Sequence, residues 1–456
     1  MSKIRALLSW PILVTSLASC GGQSGGQPSL MPPIGEGIPR SMSFARTYLG
    51  RAELPTPIDH IVIIFQENRT PDYLFQGVPG ADIAKTAKDS HGQVVALHEV
   101  SLAAGYDLFH GHSSFVQDYD GGKMDGFDKG LPPRFYFRPF GYAPRSEVKP
   151  YYDMATQYVF GDQMFQSNQG PSFPAHLYII SGTAGDASIR PYKVAANPHD
   201  RLTGESTKGG CDAVSTAFVD TVNPRNGSAG PAPFPCFNRR VLSDLLDEKG
   251  ISWRYYQNQP GPGTWHAFDA IRHVRFGPDY ENVVFLSTRI LKDIKQQRLA
   301  GLSWVIPSGS WSDHAGPAST KRGPSWVAAI VNAVGESRYW KTTAIFVTWD
   351  DWGGWYDHVK PPILNHDELG FRVPLLVISP YARHGYVSKV RHEFGSILAF
   401  AEETFGIPKG SLKSTDGRAD DLMDAFDFTK PPRVFKRIPA PKFDPGSNLD
   451  LDAEDP

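Results

Sequence analysis

Five runs of apolar residues, rich in β-branched and aromatic side chains, recur along the chain: Ile58 to Phe65, Trp253 to Tyr256, Leu302 to Ile306, Ala344 to Thr348 and Val373 to Ser379. The first is nearly continuous rather than alternating, which predicts a central strand covered on both faces. Between the runs, apolar residues fall at helical spacing: Val241-Leu242 with Leu245-Leu246, Trp326-Val327 with Ile330-Val331, and Phe394, Ile397 and Leu398 with Ala401. Strands alternating with helices predict an α/β fold, a three-layer αβα sandwich around a central, mostly parallel sheet.

Composition narrows the class. With 40% apolar and 21% charged residues, disorder, a fibrous protein and a multi-pass membrane protein are excluded. The length of 456 residues would suggest three domains at about 150 residues each. The single strand and helix alternation predicts one large catalytic domain instead, over residues 56–410. Lys and Arg (46) nearly balance Asp and Glu (48), so the basic excess that a nucleic-acid partner requires is missing. The 44 Gly and 39 Pro predict long ordered loops.

Residues 1–19 read as a signal peptide, with Lys3 and Arg5 before an apolar stretch too short to span a bilayer. Leu17-Ala18-Ser19-Cys20 resembles the bacterial lipoprotein processing box, in which Cys20 is acylated; the alternative is a plain secretory signal with an incidental Cys. The expectation is an exported, membrane-anchored lipoprotein of the periplasm or outer membrane, held through a Gly/Pro/Ser-rich tether over 20–55. Export puts Cys211 and Cys236 in an oxidising compartment, where they are expected to form one disulfide stapling an insertion over about 185–240. Residues 411–456 read as a loosely packed tail.

In open α/β sheets the ligand site lies beyond the carboxyl ends of the strands. There the first run passes into Gln66-Glu67-Asn68-Arg69, and the fourth into Trp349-Asp350-Asp351-Trp352-Gly353-Gly354. Adjacent carboxylates require a proton or a cation, and the donors are hard oxygens, which favour Ca²⁺, Mg²⁺ or Mn²⁺ with Zn²⁺ possible. Ser172, in Gly170-Pro171-Ser172-Phe173-Pro174-Ala175-His176, stands at the start of a predicted helix, where free N–H groups and the dipole would stabilise an alkoxide or a phosphate; a plain capping serine is the alternative. His110, His112, His314 and His358 lie in polar loop sequence, as does Asp357. The loop tryptophans Trp265, Trp311, Trp352 and Trp355 read as packing aromatics or as the wall of a groove.

The joint order of these motifs is more specific than any one of them. Ile58 through Glu67-Asn68-Arg69 to Phe75, then His112 onward into Asp118-Tyr119-Asp120-Gly121-Gly122, then Gly170-Pro171-Ser172, Trp304-Val305-Ile306-Pro307 with His314, and Thr348-Trp349-Asp350-Asp351-Trp352-Gly353-Gly354 onward to His358 resemble the bacterial phosphoesterase family. That family unites phosphatidylcholine-type phospholipases C with acid phosphatases. The resemblance runs from about Ile58 to Gly406 and implies an alkaline-phosphatase-like fold. It implies a divalent metal on Glu67, Asn68, Asp350 and Asp351, and Ser172 as a nucleophile that forms a phosphoserine. His112 and His314 become the groups that bind phosphoryl oxygens or protonate the leaving group, and His110, Asp357 and His358 possible additions. The expected substrate is a phosphate ester or a phospholipid. Two other readings stay open: a sulfatase- or phosphotransferase-like enzyme on the same fold, and a non-catalytic surface-binding lipoprotein.

Overall fold

The computed structural model describes residues 56–444. Cys20, the signal peptide and the tether lie outside the described residues.

The central sheet has eight strands: β1 (His60–Gln66), β2 (Val159–Gly161), β3 (Trp253–Gln257), β4 (Val283–Phe285), β5 (Leu302–Val305), β6 (Thr343–Trp349), β7 (Leu375–Ile378) and β8 (Tyr386–Ser388). Their order across the sheet is β4-β3-β5-β1-β6-β7-β2-β8. Every neighbouring pair is parallel except the two that involve β7, which runs against both β6 and β2. All five apolar runs of the sequence are strands of this sheet. The three remaining strands have only three residues each, too few for a period to register.

Each face carries helices, and their burial follows the apolar spacing. On one side α2 (Arg145–Gln157) packs on α4 (Gly323–Gly335); on the other α3 (Ser172–Ser181) packs on α5 (Phe394–Thr404). Strand β1 is the spine of the core, with Ile61 through Phe65 at zero exposure between the two helix layers. A helix that the spacing does not announce, α1 (His112–Tyr119), lies in the loop region above the sheet.

Two expectations change in detail. Residues 411–444 are not loosely packed. Leu422 and Ile438 are fully buried, Ile438 exchanges two backbone-to-amide hydrogen bonds with Asn332 of α4 (2.8 and 3.0 Å), and Phe435 packs on Trp340. Polar composition concealed a segment several of whose few apolar side chains find the body, although Val434 does not. Trp265, Trp352 and Trp355 are buried packing residues rather than groove walls.

Cys211 and Cys236 form a disulfide. The insertion around it folds into two small antiparallel pairs, Lys193–Val194 with Thr221–Val222 and His199–Asp200 with Ala217–Phe218, neither of which joins the main sheet. It covers the start of α3: Asn197 Oδ1 accepts from the Phe173 N–H at 2.9 Å.

Candidate active site

Parallel strands β5, β1 and β6 are neighbours, so the residues that follow them meet at one edge of the sheet. Glu67 and Asn68 leave β1, Asp350 and Asp351 leave β6, and Asp313 and His314 follow β5. Gln66 ties two of these ends together, its Oε1 accepting from the backbone N–H of Glu67 (3.3 Å) and of Asp313 (3.0 Å). Ser172, at the first turn of α3, faces them, and its hydroxyl donates to Asp351 Oδ2 at 3.4 Å. Glu67, Asn68, Ser172, His176, Asp350 and Asp351 all have zero exposure.

Local backbone shape explains the glycines and the Asn. Asn68 has φ +58°, a left-handed geometry that Asn tolerates better than most residues, and its N–H is held by Asp350 Oδ1 at 2.8 Å. Gly353 (φ +60°) and Gly354 (φ +71°) let the β6 loop fold against it. A Cβ at Gly353 would stand 2.4 Å from the Asn68 carbonyl oxygen, and one at Gly354 would stand 2.5 Å from Leu108.

The electrostatics leave a place that a cation would fit. Burial, and then the charge of Asp350 beside it, pushes the Asp351 carboxyl well above the ordinary carboxylate range. Asp350 Oδ1 is occupied by the N–H groups of Asn68 and Asp351, while Asp350 Oδ2 and Asn68 Oδ1 are buried oxygens with no hydrogen-bond partner among the described residues. Leaving such oxygens unsatisfied is costly, and a hard cation among them relieves both the desolvation and the repulsion. The residues present therefore fit a divalent ion. Asn68 is orientated for it by His110, whose Nδ1–H donates to the Leu108 carbonyl (2.6 Å); its Nε2 then accepts from Asn68 Nδ2 (2.9 Å), which turns Oδ1 the other way.

His176 belongs to the same group, and sequence reasoning assigned it no role. Its Nε2 lies 3.0 Å from Glu67 Oε1, and His176, Glu67 and Asp350 bring ligand-type atoms within 4.8 Å of one another. The signal was present: Ser172 and His176 are four apart, which puts both on one face of a helix.

The histidines separate. His112, at the start of α1, donates from Nδ1 to the Gln169 carbonyl (2.6 Å), so it sits against the loop that leads into Ser172. His314 is bonded through Nδ1 to the Ala315 carbonyl, its ring 5.8 Å from that of His110, and both rings act electrostatically on Asp351. His358 and Asp357 are elsewhere. His358 bonds Asp72 and Asp82, and Asp357 makes a two-pronged ion pair with Arg372 (2.8 and 2.9 Å).

The start of α3 offers fewer donors than expected. The Phe173 N–H is taken by Asn197 and Pro174 has none, so an anion there would be held by the dipole and not by a row of free N–H groups.

The model of the Phosphoesterase family matches residues 58–408. Among curated relatives, the non-hemolytic phospholipase C of Pseudomonas aeruginosa is 26% identical over 432 residues, which cover 82% of this chain and 58% of that protein. Phospholipase C A of Mycobacterium tuberculosis is 25% identical over 448 residues, 83% of this chain and 78% of that one. The non-specific phospholipase C1 of Arabidopsis thaliana is 22% identical, covering 83% and 72%. The chain thus spans little more than half of the Pseudomonas relative. Among solved structures, a Vibrio parahaemolyticus protein of the alkaline phosphatase superfamily aligns at 12% identity and a TM-score of 0.39, over 83% of this chain and 72% of that one.

Proposed function

The chain belongs to the Phosphoesterase family, and from that premise we propose that it is a metal-dependent hydrolase of phosphate esters, with phospholipids as the substrate class and Ser172 as the nucleophile. The observation that carries this reading is the pair of buried, unpartnered oxygens, Asn68 Oδ1 and Asp350 Oδ2, set beside a buried serine hydroxyl. Phospholipid is favoured over a simple phosphomonoester because curated relatives named phospholipase C align over more than four fifths of the chain.

Glu67, Asn68, Asp350 and Asp351 would hold the ion, with His176 orienting Glu67. When bound, the ion supplies positive charge against the phosphoryl oxygens and lowers the cost of ionising the serine hydroxyl. The remaining steps fall to the chain's own groups. The Ser172 proton points at Asp351 Oδ2, and Oγ attacks phosphorus. The new Ser–O–P bond forms as the bond to the leaving alkoxide breaks. His112 and His314 would bind phosphoryl oxygens and return a proton to the leaving oxygen. Water then cleaves the phosphoserine and restores the hydroxyl.

Ser172→Ala tests the reading. Turnover of p-nitrophenylphosphorylcholine and of p-nitrophenyl phosphate should fall by about 10⁴-fold or more with an unchanged circular dichroism spectrum. Wild-type rates on both substrates would remove Ser172 from the mechanism.

A further inference from the structure

The stretch Leu131-Pro132-Pro133-Arg134-Phe135-Tyr136-Phe137-Arg138-Pro139-Phe140 contains four aromatics, two arginines and no acid. Its exposed part presents the wrong surface for a loop facing water alone. Tyr136 is 45% and Phe137 42% exposed, and Pro132, Pro133 and Arg134 are exposed as well. Neither Arg134 nor Arg138 has a carboxylate partner among the described residues. Arg134 lies over the Phe135 ring (4.5 Å), and Arg138 over Phe135 (3.7 Å) and Tyr106 (4.3 Å).

Three backbone N–H groups of this stretch are bonded within it. Phe135 N donates to Pro132 O, Arg138 N to Phe135 O and Phe140 N to Phe137 O, at 2.7 to 3.1 Å. Each such turn takes one N–H and one C=O out of what an apolar medium would meet, which lowers the backbone desolvation cost of inserting the side chains. Aromatic rings with a wet edge and arginines with a greasy stem are the side chains that settle at a membrane interface.

The loop is joined to the active site at two points. Tyr356 N, in the chain that continues from Asp350-Asp351, donates to the Pro139 carbonyl at 3.1 Å. Tyr106, which packs under Arg138, begins the segment that carries His110 and His112. In that segment Phe109 is 80% exposed, and one turn beyond His112 on the same face of α1 Val116 is 56% exposed. Exposed apolar side chains therefore stand on both sides of the histidines.

We propose that residues 132–138, with Phe109 and Val116, form a docking surface for an anionic phospholipid bilayer, which seats the mouth of the site on the lipid head groups. This rests on the phospholipid reading above. A lipid surface fits because cations and aromatic rings coincide in one exposed loop that has no counter-charge of its own.

The test uses the full chain carrying Ser172→Ala and Phe137→Trp, mixed with vesicles of phosphatidylcholine and phosphatidylglycerol with brominated acyl chains. The Trp added at 137 should be quenched, less so in pure phosphatidylcholine, and the quenching should weaken with salt. In the active protein, Tyr136→Ser with Phe137→Ser should cut turnover of vesicle phospholipid by about tenfold while p-nitrophenylphosphorylcholine turnover stays within about twofold. An unquenched Trp, or equal loss on both substrates, overturns the proposal, as does protection of the patch by a protein partner without quenching. Quenching needs no catalysis, so it decides the docking surface even where the substrate assignment fails, and loss of all turnover on soluble esters would count against that assignment alone.

Discussion

Two buried clusters of carboxylates stand on the chain that leaves β6, seven residues apart, and they are neutralised in opposite ways. Asp357, with Asp72 and Asp162, surrounds Arg372, whose guanidinium reaches all three, and His358 closes the far side between Asp72 and Asp82. Here the protein supplies its own cations. Burial opposes the charge on Arg372 and on His358, yet the surrounding carboxylates hold the guanidinium above its usual range and lift the imidazole to about 9. Asp350 and Asp351 have no arginine or lysine among their described hydrogen-bond partners, and two oxygens in their cluster are left over. Acidic residues packed out of water mean different things according to whether the countercharge is built in: the first cluster is a structural knot and the second a candidate receptacle.

The difference can be broken from either side. Asp350→Asn removes a charge and a ligand from the receptacle. Phosphate-ester turnover should fall by about 10³-fold or more, with loss of the bound divalent ion measured by elemental analysis and little change in urea midpoint. Retained metal with retained turnover would show that the oxygens need no ion. Arg372→Met strips the knot of its cation and leaves Asp357 and Asp72 buried without it. Stability should drop by about 3–5 kcal/mol in urea titration while metal content per folded molecule stays constant. Metal loss in step with unfolding would show that the two clusters are one.

The smallest effect sharpens the knot further. A histidine raised from 6.5 to about 9 binds its proton more tightly in the folded state, so its contribution is complete below pH 6.5 and is lost as pH rises through about 9. The urea midpoint of the wild type should decline across that window, and in His358→Gln the decline should be shallower. Identical slopes would place the pH dependence on another group.

How far the sequence speaks follows from the same contrast. The receptacle was legible because each half directly follows an apolar run: Glu67-Asn68 comes after β1 and Asp350-Asp351 after β6, and a strand end is where chemistry is sought in this class of sheet. The knot was not legible, since Arg372 and Asp72 lie 300 residues apart and neither carries a local pattern. Asp357 and His358, seven residues beyond the Asp350 pair, could from the sequence alone be additions to the site or structural. His176 sat inside an apolar helical run that reads as core, and its polarity found a use only once the helix met Glu67. The main strands were visible as unbroken apolar runs, whereas three-residue strands and the folded tail depend on partners elsewhere in the chain.

The stapled insertion has a consequence for how such a protein can diversify. Its small β-pairs stay outside the eight-stranded sheet, a disulfide ties it internally, and it rests on the first turn of the Ser172 helix. Changes of length or composition there would not shift any strand register. The residues at the strand ends and the insertion that rests on the Ser172 helix are thus separately heritable, and selection can rewrite the second while the first is kept.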